Sequence, residues 1–112
     1  MRPLIASFVF GVMVIGGARL AAGQELGEAS AGYDYASQIC SGCHAVQRGG
    51  LASPNEKAPP FEAIANTRAM TEMALRVWFQ TPHPTMPNLM MTARQKDDVI
   101  AYILSLKERR QP

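Results

Sequence analysis

Apolar side chains recur at helical spacing along most of the chain, and no stretch shows the strict alternation of a half-buried strand. The clearest helix comes last. Its apolar face repeats at i, i+3, i+4 and i+7 in Val99, Tyr102, Ile103 and Leu106. Thr92 with Gln95 forms a capping box just before this face begins. The pattern therefore predicts a C-terminal helix that starts after Thr92 and buries one side.

Three shorter helices are predicted upstream. Pro60 favours a short helix over 61–66, because proline suits the first helical position. Thr71 caps another helix, which Pro82 ends. The apolar face of that helix consists of Leu75, Trp78 and Phe79. The first helix of the domain carries an apolar face made of Gly32, Ala36, Ile39, Cys40 and Cys43.

Glycine and proline mark the loops between these helices. Two glycines and three prolines interrupt residues 47–60, which are predicted to form a loop. Three further prolines fall within residues 81–87. Because proline fixes φ and lacks an N–H group, this second loop is predicted to be irregular and rigid.

The start of the chain has the composition of a secretory signal peptide. Arg2 gives a positive start, an apolar run follows over 3–18, and Ala21 and Gly23 put small residues where signal peptidase cuts. An uncleaved membrane anchor is the alternative. The run has 16 residues, however, whereas a spanning helix needs roughly 20.

Cleavage after Gly23 divides the chain into three parts. Residues 1–23 are the predicted signal peptide, 24–29 a flexible lead-in, and 30–112 one domain exported to the periplasm. The full chain has 112 residues with 11 Lys+Arg against 9 Asp+Glu, which excludes a strongly basic nucleic-acid binder. Loss of the signal would leave a small neutral domain, and domains of that size usually rely on a disulfide, a metal or a cofactor.

Cys40, Cys43 and His44 carry the clearest chemistry, in the sequence C-S-G-C-H. C-x-x-C-H is the attachment signature of c-type haem. Two thiols three residues apart on a helical turn can each bond to one vinyl group of the porphyrin. The next residue, His44, is then carried beneath the ring, where its imidazole can bind iron as the proximal ligand. Both cysteines of the chain belong to this motif.

Three other interpretations use the same residues. A thioredoxin-like redox pair requires a βαβ context, which the helical pattern does not provide. A simple disulfide between Cys40 and Cys43 leaves His44 without a role. A zinc site could count His83 as its fourth ligand, but adjacent ligands at positions 43 and 44 are unlike the separated pairs of structural zinc modules.

The second axial position of the iron could be taken by a methionine or left open for gases or peroxide. Met86 lies in the proline-rich loop, where a flexible thioether is a poor choice unless its sulfur has a partner. Met90 and Met91 precede the last helix, and one of them is expected to pack beneath it. His83 is interpreted as a loop residue rather than a ligand.

Over roughly residues 30–108 the chain resembles the small, single-haem class I cytochromes c of bacteria. The matching segments are Gly32 eight residues before Cys40, the C-S-G-C-H motif, Ala58 to Phe61, the Leu75-x-x-Trp78 helix, the loop from Pro82 to Asn88, and Asp98 to Tyr102. The C-x-x-C-H motif is highly specific and the remaining segments are less so. The chain departs from the family in having Pro59-Pro60 where many relatives carry a glycine-framed proline.

The resemblance implies an all-α domain wrapped around one covalently bound haem c, with the N- and C-terminal helices crossing where Gly32 approaches Tyr102. It also implies that Met86 is the distal ligand of the iron. The Pro59 carbonyl is the candidate acceptor for the His44 ring, with loop stiffening as the alternative. Trp78 is the candidate donor to a haem propionate, with core packing as the alternative.

These features together predict a monomeric carrier of single electrons rather than an enzyme. Its partners would be larger redox proteins such as a reductase, an oxidase or a dehydrogenase. Thioethers at Cys40 and Cys43 would leave one haem edge exposed as the electron port. The alternative is a haem peroxidase or a gas-binding domain, which requires Met86 to be displaced from the iron.

Overall fold

The computed structural model describes residues 27–109, and the predicted signal peptide lies outside them. Within this range the chain forms four α-helices, one π-helical turn and no strand. The elements are α1 (Ala29–Tyr35), the π-helical turn (Ala36–Cys40), α2 (Phe61–Ala65), α3 (Glu72–Gln80) and α4 (Ala93–Ser105). The predicted all-α fold is confirmed. None of the helices in residues 27–109 is both long enough and apolar enough to cross a membrane.

Helices α1 and α4 cross in close contact at Gly32. The glycine is buried, and a Cβ atom added to it would overlap the backbone carbonyl of Asp98 and lie 2.8 Å from the Cβ of Tyr102. Only a residue without a side chain allows this approach. The crossing predicted from the family resemblance is therefore present.

The residues before α1 are held against α4. The backbone N–H of Glu28 donates to the buried carboxylate of Asp98 at 2.7 Å, and Gly27 packs directly on the backbone of α4. The sequence interpretation assigned 24–29 to a flexible lead-in, but Ala29 already belongs to α1. The carboxylate of Asp98 accepts one of the N–H groups that a helix start leaves without an intrahelical partner.

The core is built on α4. Val99, Ile100 and Ile103 are its largest fully buried side chains. Around them lie buried residues of the other elements, namely Ala36, Cys40, Val46, Phe61, Ala65, Leu75, Tyr102 and Leu106. The stripe predicted for the last helix is therefore the centre of the core.

Both predicted helix caps are present. The Thr71 hydroxyl accepts from the backbone N–H of Ala74 at 3.1 Å at the start of α3. At the start of α4, Thr92 and Gln95 exchange two hydrogen bonds of 2.9 and 3.1 Å, which complete the capping box. Arg76 then joins α3 to α4 through Asp97, at 2.5 Å.

Three local predictions need correction. The first helix changes to a π-helical turn after Tyr35, and Ile39 within this turn is 49% exposed and does not belong to the buried core cluster. Pro60 caps α2 from outside and is not its first helical residue. Trp78 is 56% exposed, so the apolar face of α3 has one strongly exposed member.

Candidate cofactor site

A cavity of about 650 Å³ lies between the C-x-x-C-H segment, α3 and the proline-rich loop. Its volume falls within the roughly 300–1,000 Å³ of small-molecule and cofactor sites. Cys40, Cys43 and His44 line it, and so do residues 83–87 of the loop. Its apolar walls come from Ile39, Phe61, Ile64, Leu75, Phe79 and Ile103. The structure thus brings the predicted attachment motif and the predicted distal loop to one site.

The C-x-x-C-H segment folds as a tight turn around one carbonyl. The backbone N–H groups of Cys43 and His44 both donate to the carbonyl of Cys40, at 3.1 and 2.9 Å. The side chains of these three residues therefore reach the same cavity within five residues of chain. This is the arrangement that two thioether bonds and one axial ligand to a single porphyrin require.

The two thiols differ in environment. Cys40 ends the π-helical turn and is buried, and this burial raises the pKa of its thiol to about 11, because a thiolate there would lose hydration. Cys43 is exposed. Both cysteines are free, which does not support the disulfide interpretation.

The ring of His44 is held by the loop that follows it. Nδ1–H donates to the carbonyl oxygen of Pro59 at 2.7 Å, since that carbonyl can only accept. The ring centroid of Phe61 lies 5.3 Å from that of His44. With Nδ1 engaged, Nε2 is the nitrogen left to bind a metal, and the hydrogen bond fixes the orientation of the ring.

Met86 lines the cavity, whereas Met90 and Met91 do not. Met90 is 97% exposed, and Met91 packs against the core. This agrees with the expectation that one of that pair packs beneath the last helix. Met70 also reaches the cavity, and it packs against the core cluster.

Trp78 and His83 form a ring pair at the rim of the cavity. Their centroids are 4.2 Å apart and their planes are tilted by 42°. Both residues line the cavity. This contact could not be read from the sequence, where Trp78 was assigned to a haem propionate or to the core and His83 to a plain loop position.

The zinc and thioredoxin interpretations find no support in the described residues. Within 27–109, no three His, Cys, Asp or Glu side chains come together as a metal site, so His83 does not complete a zinc site with the C-x-x-C-H segment. No strand occurs in that range either, and a thioredoxin-like site requires a βαβ unit.

A second contact that sequence reasoning missed links α4 to the proximal side. The Tyr102 hydroxyl donates to the Val46 carbonyl at 2.5 Å, two residues after His44. Tyr102 also packs on Phe61, whose backbone N–H donates to Ala45 at 2.9 Å. The helical stripe marked Tyr102 only as a core residue, because periodicity says nothing about where a hydroxyl points.

The donor set fits a covalently attached haem. The thiols of Cys40 and Cys43 would form the two thioether bonds to the porphyrin. The oriented imidazole of His44 and the thioether of Met86 would each supply one ligand to the iron. The remaining walls are largely apolar, as a porphyrin face requires.

Comparison with known proteins supports this assignment. The chain is 31% identical over 80 residues to cytochrome c-552 of Bradyrhizobium diazoefficiens, and the match covers 71% of the chain and 76% of that protein. No protein-family model matches the chain. No solved structure matches it either. With its helical fold, its C-x-x-C-H motif and this similarity over most of both sequences, the chain belongs to the family of small monohaem cytochromes c.

Proposed function

We propose that this cytochrome is an exported carrier of single electrons whose haem is attached at Cys40 and Cys43 and ligated by His44 and Met86. The observation that carries the proposal is that all four side chains line one cavity. The relative it resembles is named as a cytochrome c. When bound, the haem supplies one-electron chemistry at its iron.

The protein's own residues hold the site in one arrangement. The Pro59 carbonyl orients His44 through Nδ1, and Phe61 packs against the ring. Met86 borders the same cavity from the proline-rich loop, so His44 and Met86 would be the two protein ligands of the iron. An iron ligated by both would have no open position for a substrate, which favours electron transfer over catalysis.

The electron port is the edge next to Cys43. Cys43 is exposed whereas Cys40 is buried, so a haem attached to both would present the Cys43 side to solvent. Lys57 also borders the cavity and is exposed. With 9 basic and 9 acidic residues after loss of the signal, no strong field steers the protein to one class of partner. Its partners are larger redox proteins that contact this edge, and the carrier acts as a periplasmic monomer.

The visible spectrum of the purified protein tests the proposal. We expect a reduced low-spin c-type spectrum, a pigment that stays with the chain in acid acetone, and only slow binding of carbon monoxide by the reduced protein at neutral pH. Extraction of the pigment would contradict covalent attachment. Rapid binding of carbon monoxide would instead favour the peroxidase or gas-binding alternative.

A further inference from the structure

The loop that carries Met86, residues 82–90, has few polar connections to the rest of the protein. Its backbone hydrogen bonds are local: Met86 N–H donates to His83 at 3.4 Å, and Met91 N–H donates to Leu89 at 3.0 Å. Three prolines remove further donors. Within residues 27–109, no side-chain hydrogen bond joins 82–90 to another element. The position of Met86 therefore depends on packing.

The ring of His83 provides a specific packing contact. Helix α3 ends at Gln80. The next residue, Thr81, donates its N–H to the Trp78 carbonyl at 3.2 Å and its hydroxyl to the Val77 carbonyl at 2.8 Å. These bonds turn the chain back on the helix. His83 then lies on the indole with ring centroids 4.2 Å apart.

His83 is also coupled directly to Met86. The Met86 N–H donates to the His83 carbonyl, so the two residues face each other across the turn Pro84-Thr85. This bond links the backbone positions of the two residues. Both side chains border the same cavity.

We infer that His83 is a positioning residue for Met86, which acts through its ring contact with Trp78 and not by binding iron. The inference rests on the proposed ligation by Met86. In this arrangement the Trp78–His83 contact holds the loop closed, and the fraction of molecules with an open distal position depends on it. The same contact thereby influences how readily a small ligand reaches the iron.

The test uses the holoprotein and two substitutions at one position. His83→Phe keeps an aromatic ring on Trp78 without a nitrogen, whereas His83→Ala removes the ring. Asn88→Ala is the matched control, because Asn88 is an exposed residue of the same loop that does not line the large cavity. The readouts are the rate of carbon monoxide binding to the reduced protein and the sulfur-to-iron charge-transfer band of the oxidised protein.

We expect His83→Ala to bind carbon monoxide about two- to tenfold faster than the wild type, the range that loss of one aromatic pair allows. His83→Phe and Asn88→Ala should match the wild type, and all variants should keep the charge-transfer band at low temperature. An unchanged rate in His83→Ala would overturn the inference. Equal effects of Phe and Ala would also overturn it, because they would show that the imidazole nitrogens and not the ring contact matter.

A double-mutant cycle with Trp78→Ala separates this contact from other roles of the indole. If both residues act through one contact, the effects of Trp78→Ala and His83→Ala are less than additive. Additive effects contradict the inference. Met86→Ala removes the proposed distal ligand and gives the carbon monoxide binding rate of a fully open site. If Met86→Ala leaves the wild-type band and rate unchanged, the proposed ligation is wrong, and this result is distinct from a failure at His83.

Discussion

The carbonyl oxygen of Pro59 accepts a hydrogen bond from Nδ1 of His44 at 2.7 Å across fifteen residues of sequence. The acceptor belongs to the backbone, so the side chain at position 59 is needed only to fix the path of the loop. Pro60 follows directly and by itself keeps residue 59 extended. Pro59 and Pro60 therefore both restrict the backbone whose carbonyl orients the proximal imidazole.

Pro59→Ala should consequently cost stability but leave the iron unaffected. We expect a loss of about 0.4–1 kcal/mol, since alanine increases the freedom of the unfolded chain. The reduction potential should stay at the wild-type value. Thermal unfolding and spectroelectrochemistry measure the two quantities. Pro54→Ala is the control, because Pro54 lies in the same loop outside the cavity. A potential shifted by Pro59→Ala alone would contradict a purely backbone role.

Tyr102 predicts a specific loss of stability in alkali. Burial raises the pKa of Tyr102 above its ordinary value of 10.0, and its hydroxyl donates to the Val46 carbonyl. A raised folded-state pKa gives a contribution that is complete below about pH 10 and is lost as the pH rises through the folded value. Compared with Tyr102→Phe, the wild type should be more stable by about 0.5–1.5 kcal/mol at pH 7.

The stability advantage of the wild type should shrink above pH 10. Only in the wild type does ionisation of Tyr102 stabilise the unfolded state more than the folded state. Denaturant unfolding of both holoproteins between pH 7 and 11 measures the difference. Two stability curves that remain parallel across this range would show that Tyr102 ionises equally in the folded and unfolded states.

The haem should be required for folding. The double substitution Cys40→Ser with Cys43→Ser removes both attachment points and is expected to give an unfolded or unstable chain. Without the haem, the largely apolar walls of a cavity of about 650 Å³ would face water, and a domain this small has little other core to offset that loss. Circular dichroism measures the outcome. A cooperative melt with native helicity in the double mutant would contradict it.

Gly32→Ala should destabilise the crossing of α1 and α4. The added Cβ would overlap the backbone of Asp98, and backbone cannot move aside as a flexible side chain can. We expect a loss of about 1–3 kcal/mol. Gly42→Ala is the matched control, because a Cβ there meets nothing within 4 Å. Equal melting temperatures for the two variants would contradict a close crossing of α1 and α4 at Gly32.

The sequence predicted the elements whose signals are local. The caps at Thr71 and Thr92 follow from hydroxyl groups that accept from backbone N–H groups three residues later, and the stripe of α4 follows from its period. The C-x-x-C-H segment was found because its spacing is set by covalent chemistry. In each of these cases the residues that interact lie within one or two helical turns of each other.

The contacts that sequence could not predict join distant segments or depend on one local turn. The hydroxyl of Tyr102 reaches Val46 across 56 residues, and no periodicity encodes that pairing. The π-helical turn adds one residue to the usual helical hydrogen bond, and Ile39 within it lines the cavity together with Cys40 and Cys43 and not the core. The ring contact between His83 and Trp78 depends on how the chain reverses after α3. The proline-rich sequence predicts a rigid loop there but not the path that the loop takes.

Met86 provides the most direct test of the distal side. The proline-rich loop places Met86 on the cavity, while its neighbour Met90 is 97% exposed and lies outside it. Substitution of Met86 by Ala should abolish the sulfur-to-iron charge-transfer band and open the reduced protein to carbon monoxide. The reduction potential should fall as well, because a methionine ligand raises it.

Met90→Ala is the matched control, since it removes the same side chain four residues away without touching the cavity or the core. It should keep the band, the potential and the closed distal site. Met91→Ala should also keep the band but lower the melting temperature, because Met91 packs against the core.

Met70 is the remaining thioether on the cavity wall and supplies the decisive comparison. If Met70→Ala loses the band and Met86→Ala retains it, the sulfur ligand comes from the segment between α2 and α3 and not from the proline-rich loop.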